Sequence, residues 1–180
     1  MATFGERVIG AARLDPGTYE EVEADRQATG QALAVVLLSS VSSGLGSMGL
    51  GIFGAGGLVA GAIGALIGWV AWAVLTYIIG TRLLPEPQTK ADVGELLRTL
   101  GFASSPGLLR IFGLVPLLGR VVFLIVSVWM LASMVVAVRQ ALDYRSTARA
   151  IGVCVVGWLL SLAIAALIGG LFARTVLSSL

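Results

Sequence analysis

The sequence predicts an all-α membrane protein: a polytopic bundle of about five transmembrane spans, preceded by a short amphipathic helix. Three observations predict it. Of the 180 residues, 57% are apolar and only 12% are charged, where a soluble domain carries about a quarter charged residues. The charges gather in patches separated by apolar runs, several long enough for the roughly 20 residues that a membrane helix needs. The basic residues also sort unevenly among the connecting segments, as the positive-inside rule requires.

The same composition removes whole classes of chemistry. There is no histidine, which eliminates Ser-His and Cys-His nucleophiles, HExxH zinc sites and imidazole proton relays together. Cys154 stands alone inside an apolar run, so neither a disulfide nor a thiolate metal centre is available within one chain. It reads as a small packing residue. A net charge of +2 with no basic aromatic stripe does not suit a nucleic-acid partner. The expectation is a protein without cofactor, metal or catalytic activity.

In chain order, Phe4, Val8, Ile9 and Ala12 share one helical face, with Glu6, Arg7 and Arg13 elsewhere. That pattern predicts a short helix lying at the headgroup level. The acids that follow do not suit a cleaved signal peptide. Asp15-Pro16 reads as an N-cap and first-turn pair, and Thr18 with Glu21 as a competing capping box. The helix begun there carries Glu20, Glu21, Glu23 and Asp25 in its early turns, where the helix dipole favours negative charge. It is expected to run unbroken into the first span, roughly 31–47. Residues 1–28 thus form an N-terminal segment and residues 29–180 the transmembrane domain.

From Gly44 to Gly57 the chain is glycine-dense and uncharged, which predicts a flexible hairpin on the non-cytoplasmic side. The second span, 58–80, carries small-xxx-small pairs at Gly57/Gly61 and Gly64/Gly68. Such pairs let helices approach closely, either within the bundle, the preferred reading, or in a homo-oligomer. Tyr77 suits an interface, while Trp69 and Trp72 suit packing. Pro85 and Pro87 end this helix, and Asp92 to Leu100 reads as a brief amphipathic helix on the membrane surface.

The third span is short. Pro106 to Gly119 supplies about 14 residues, or 21 Å of α-helix, against about 30 Å of hydrocarbon. Starting at Leu100 restores the length with a kink at Pro106, and Ser104 and Ser105 read as its N-cap. Arg110, about one turn beyond Pro106, is expected to snorkel to the inner interface. A re-entrant loop is the alternative, but it would place Arg139, Arg145 and Arg149 outside. A full crossing is therefore preferred. The fourth and fifth spans follow at 121–138 and 151–172. This arrangement puts Arg7, Arg13, Arg26, Arg82, Lys90, Arg98, Arg139, Arg145 and Arg149 on the cytoplasmic side, and leaves Arg120 and Arg174 outside. The N-terminus is then inside and the C-terminus outside. Eleven arginines to one lysine is the usage of a GC-rich bacterial genome, which points to a bacterial inner membrane.

Three stretches, DPGTYEEVEADRQATGQAL (15–33), LLRTLGFASSPGLLR (96–110) and VRQALDYRSTARAIGV (138–153), resemble the Yip-domain family. These are Ypt/Rab-interacting membrane proteins and their prokaryotic relatives, and the resemblance covers nearly the whole chain in matching order. It implies a five-span domain with a cytoplasmic N-terminus. Eukaryotic members contact prenylated Rab-type GTPases with the help of a D-L-Y-G-P-type stretch and acidic residues before the spans. This chain has Asp15-Pro16-Gly17-Thr18-Tyr19 instead, in a different order and with no following tryptophan. GTPase binding is therefore not carried over to it.

One constellation stands out as a candidate site. Tyr19, Glu20, Glu21, Glu23 and Asp25 precede the first span, while Arg139, Asp143, Arg145 and Arg149 lie between the fourth and fifth. Pairing of these carboxylates with these arginines would close the bundle at its inner face. Asp143 also suits an i,i+4 partnership with Arg139 or a cap near Thr147. Alternatively the arginines hold anionic lipid headgroups, each adding about 1 kcal/mol, with Ser146-Thr147 capping the fifth helix. Two functions remain. One is a membrane scaffold or adaptor engaging a cytoplasmic protein partner. The other is a carrier or channel for lipid or a small neutral solute, since no span holds an acid or lysine at mid-depth.

Overall fold

The structure, a computed structural model, describes residues 2–51, 57–115 and 117–178, with side chains through residue 167. Among these residues the fold is entirely helical. Two short helices, α1 (Phe4–Ala12) and α2 (Pro16–Ala24), lead into α3 (Ala28–Gly49). Helix α4 (Gly57–Ile78) passes into a π-helical turn at Ile79–Leu83. Then come α5 (Val93–Phe102), a 3₁₀-helix (Ser105–Leu114), α6 (Gly119–Ala141) and α7 (Thr147–Ser178). Four helical stretches are long and apolar enough to cross a membrane: Ala28–Gly49, Gly57–Leu83, Gly119–Ala141 and Thr147–Leu167. The protein is a multi-pass membrane protein.

The segment between α4 and α6 that was expected to make the third span is built of two different helices end to end. Gly101 at the end of α5 packs on Ala32, Gly107 on Ser39, Gly46 on Arg110, and Gly49 on Gly113 and Leu114. The segment therefore runs parallel to α3 from Ala32 to Gly49, a rise of about 25 Å at 1.5 Å per residue. The shortfall expected from counting 14 α-helical residues disappears for two reasons. Helix α5 lies inside the bundle, with Leu96, Arg98, Thr99, Leu100 and Phe102 buried, and not on the membrane surface as its amphipathic pattern suggested. The 3₁₀-helix also climbs about 2 Å per residue instead of 1.5. Pro106 forces the change of helix type because it has no N–H to offer the carbonyl of Phe102. The Ser105 hydroxyl donates to that carbonyl instead, at 2.6 Å, and the Ser104 hydroxyl reaches the Leu100 carbonyl at 3.5 Å. Both serines thus close α5 behind them, and neither caps the next helix.

Among the described residues, the closest backbone approaches are made by Gly46 and Gly49 of α3 and not by Gly61, Gly64 or Gly68 of α4. Among the described residues, a Cβ on Gly61, Gly64 or Gly68 would meet no atom within 4 Å, whereas one on Gly46 or Gly49 would strike the backbone of Arg110 or Gly113. Helix α3 continues through the glycine-dense stretch to Gly49, where a flexible hairpin was expected. Of that stretch, residues 52–56 lie outside the described residues. Helices α2 and α3 are separate, because Asp25 adopts an extended conformation and its carboxylate accepts from the Gln27 amide at 2.9 Å. Asp15 wins the competition to start α2, accepting from the Thr18 amide at 3.0 Å and the Thr18 hydroxyl at 2.7 Å.

The buried apolar core is concentrated at one end of the bundle. There Tyr19, Val22, Leu96, Phe102, Ala137 and Leu142 pack together. Away from that end, α4, α6 and α7 expose Ile63, Ile67, Leu124, Leu131, Trp158 and Leu159, the continuous apolar surface that a bilayer covers.

Candidate functional site

All nine residues of the expected constellation gather at this core-bearing end, but the partners differ from those expected. Three segments meet there: the α1–α2 hairpin, the α4–α5 loop and the α6–α7 turn.

In the hairpin, Glu21 on α2 and Asp25 just past its end both accept from Arg7, at 2.9 and 2.8 Å. The other guanidinium arm donates to Gln31 at 3.0 Å. Neither acid pairs with Arg139, Arg145 or Arg149. Sequence reading put Arg7 on the polar face of α1, yet Arg7 is 2% exposed while Ile9 is 53% exposed. The face turned to the protein is Arg7 with Ala11, one helical turn apart. The legible signal was at the end of α2, where two acids four residues apart in sequence present a carboxylate pair to a single cation. Tyr19 is fully buried, its hydroxyl donating to the Ala11 carbonyl at 3.1 Å, and burial pushes its phenol well above the ordinary range. It is a neutral tie between the two short helices. Trp129 on α6 secures the corner by donating to the Ala12 carbonyl at 2.7 Å.

Arg98 from α5 fastens the hairpin to the bundle. Its Nε lies 3.0 Å from the Val22 carbonyl and 2.9 Å from that of Glu23, and its Nη2 also reaches Glu23. These carbonyls at the end of α2 lack helical partners, and a cation complements them.

The α6–α7 turn is clamped to the α4–α5 loop. The Tyr144 hydroxyl sits 2.9 Å from the Gly80 carbonyl and 2.7 Å from that of Leu84, within the π-helical turn and at its end. Glu86 accepts from the Arg145 amide at 3.1 Å and faces the Arg149 guanidinium at 3.5 Å. The Arg145 amide is the foremost reason that its carboxyl is held below the usual range. Arg149 also donates to the Pro85 carbonyl at 2.7 Å, and Gln88 to that of Asp143 at 3.0 Å. Arg139 donates to the Tyr144 carbonyl at 3.3 Å. Two of the three arginines thus bind loop carbonyls, which sequence reasoning missed because carbonyl acceptors leave no trace in side-chain pattern. Ser146 does cap α7, accepting from the Arg149 amide at 3.4 Å.

Between these ties lies a cavity of about 450 Å³ lined by Glu20, Glu23, Glu95, Arg139, Asp143 and Tyr144. Gln140 bridges to Glu20 at 3.0 Å. Glu23 is its most perturbed member. Burial, then the charges of Glu95 and Asp143, push its carboxyl up to about 7, while Arg98 opposes the shift and Glu20 adds to it. A carboxyl whose folded pKa exceeds its unfolded value of 4.5 binds a proton more tightly in the folded state. Stability therefore falls as pH rises between those two values and levels off above them. Thermal unfolding in detergent is expected to show a Tm lower by a few degrees at pH 8 than at pH 5.5. Glu23→Gln should raise the Tm at pH 8 and flatten the profile. An unchanged slope in that variant would place the titration elsewhere.

A second cavity, of about 490 Å³, lies within the membrane-crossing part, lined by Ser39, Ser43, Trp69, Trp72, Arg110 and Met130 among others. Arg110 does not lie toward the clamped end, where the sequence reading put it. It packs on Gly46, close to the far end of α3, and contacts Ser43, Phe123 and Ser127. Among the described residues, no group of three or more metal-binding side chains could hold an ion.

Searches of curated proteins and of solved structures return no match. The family model of the Yip1 domain matches residues 14–168, from the start of α2's cap to the apolar part of α7. That match takes in both the clamped polar end and every crossing segment, so the chain belongs to the Yip1 domain family.

Proposed function

We propose that this Yip-type membrane protein is a scaffold or adaptor of a bacterial cytoplasmic membrane, engaging a protein partner through the end that carries its N-terminus. The observation that carries the reading is the joining of three polar segments, distant in sequence, into one surface. Arg98 holds the end of α2 and Tyr144 holds the end of α4, so the surface is organised before any partner arrives, which lowers the entropic cost of binding. Its recess, with Glu20, Glu23, Glu95 and Asp143 against Arg139, is complementary to a basic segment of a partner. We assign no reaction to it, because its carboxylates stand beside neither a histidine nor an activated nucleophile. Nine of the twelve basic residues belong to segments at this end, and the positive-inside rule then faces it to the cytoplasm.

The test is photocrosslinking in native membranes, with a crosslinking amino acid at Arg145 beside the recess or at Leu124 on the lipid face. A discrete protein adduct from position 145 and none from 124 supports an adaptor. Identical adducts at both positions, or labelling of Arg145→Cys by an impermeant maleimide outside intact cells, would refute it. A second reading, carriage of lipid or a small neutral solute, is favoured by the intramembrane cavity, and flux through purified protein in liposomes would establish it.

A further inference from the structure

We propose that the intramembrane cavity beside Arg110 holds the anionic headgroup of a membrane lipid. This does not rest on the adaptor reading, since the cavity and the polar surface are separate parts of the fold.

The Arg110 guanidinium lies within the bundle, its Nη1 donating to the Ser43 hydroxyl at 3.3 Å and its Nη2 to that of Ser127 at 3.0 Å. Ser127 is about 12 Å along α6 from Gly119, and Ser43 about 9 Å along α3 from Gly49. The charge is therefore inside the membrane-crossing part. The Phe123 ring covers it at 5.4 Å. A guanidinium has five N–H donors. Two serine hydroxyls accept from it, and its buried Nε has no acceptor among the described residues. The indole N–H of Trp72, another residue of the cavity wall, also has none.

No carboxylate of this chain can neutralise Arg110. The sequence contains no acid between Asp25 and Glu86, between Glu95 and Asp143, or after Asp143. Every acid therefore belongs to the segments at the clamped end or to helix starts there. The same holds for a second copy of the chain, which has no acid at that depth either. An unpaired cation inside a membrane protein is costly and marks a ligand or ion site by default, so the counter-charge comes from outside the polypeptide.

The cavity states which source. Ser39, Ser40, Ser43 and Ser104 line it with hydroxyls, of which that of Ser43 accepts from the guanidinium, and Val36, Leu100, Met130 and Met134 supply apolar wall. A polar patch with an apolar continuation fits an amphiphile better than a hydrated anion. On the α4 side, Gly68 lines the cavity and has no neighbour within 4 Å of where a Cβ would stand. Helix α4 exposes Ile63, Ile67 and Val70 beyond it, so this wall faces the bilayer from which the lipid would come.

Purified full-length protein is delipidated in detergent, offered phosphatidylglycerol or phosphatidylcholine, and examined by native mass spectrometry. One phosphatidylglycerol should be retained in at least tenfold preference to phosphatidylcholine. Arg110→Gln should abolish that preference. Gly68→Leu, which fills the cavity from its open side and leaves Arg110 in place, should reduce retention to a similar extent. Gly68→Leu keeps the test decisive should Arg110→Gln fail to fold. Equal retention of the two lipids by the wild type, or unchanged retention of phosphatidylglycerol in folded Gly68→Leu, would overturn the proposal. Full displacement of the lipid by millimolar inorganic phosphate would overturn it too, by making the ligand a free anion.

Discussion

Gly46→Leu is expected to abolish recovery of folded, monodisperse protein, and Gly46→Ala to cost about 2–3 kcal/mol. At this position α3 meets the 3₁₀-helix backbone to backbone. A Cβ would overlap the Arg110 carbonyl and press on the Phe123 ring. A flexible side chain could turn away from such an overlap, but a carbonyl inside a helix cannot. The broken crossing would have to withdraw from α3, exposing the polar backbone of a 3₁₀-helix to hydrocarbon. Gly64→Leu on α4 is the matched control. Among the described residues no atom stands within 4 Å of its Cβ position, so the variant should unfold at the wild-type temperature. Size-exclusion chromatography and thermal unfolding in detergent distinguish the two. A tolerated Gly46→Leu would refute the close α3 contact. A Gly64→Leu that changes the elution volume would identify the α4 face as a seam between copies.

The sequence carried the fold class and the long spans because hydropathy and length are summed over some twenty residues and survive local error. The segment between α4 and α6 was half legible. Its length deficit was visible from Pro106 to Gly119, but the remedy depended on α5 being buried, and α5's amphipathic pattern reads the same against a headgroup layer as against a bundle. The glycine motifs were legible as spacing and no further. Gly57/Gly61 and Gly64/Gly68 have the spacing of a packing seam, but spacing does not say whether anything stands opposite. At the candidate site, sequence placed the right charges at one end without the right partners. Charge counting sorts arginines by side of the membrane. It cannot anticipate that Arg98 and Arg149 bind carbonyls, since every loop and helix end offers those equally.

The partner that charge counting overlooked provides the second large effect. Arg7→Met should destabilise the protein by about 3 kcal/mol, near the lower bound for stripping one member from a buried ion pair. The side chain is 2% exposed, and Glu21 and Asp25 are 35% and 15% exposed. Removing Arg7 leaves Asp25 facing protein without a cation, while Glu21 regains water in part, which keeps the loss from being larger. Methionine fills much of the arginine stem's volume, so the loss reports the charge and its hydrogen bonds more than a cavity. Because Tyr19 and Val22 on the same short helix are core residues, loosening the α1–α2 hairpin should also uncover the amides of α2 to hydrogen exchange. The pairing is tested against the one suggested by sequence. Arg7→Glu combined with Glu21→Arg should recover part of the stability lost by each alone, whereas Arg145→Glu combined with Glu21→Arg should give additive losses. Coupling in the second pair and none in the first would return Glu21 to the α6–α7 turn and dismantle the polar end described here.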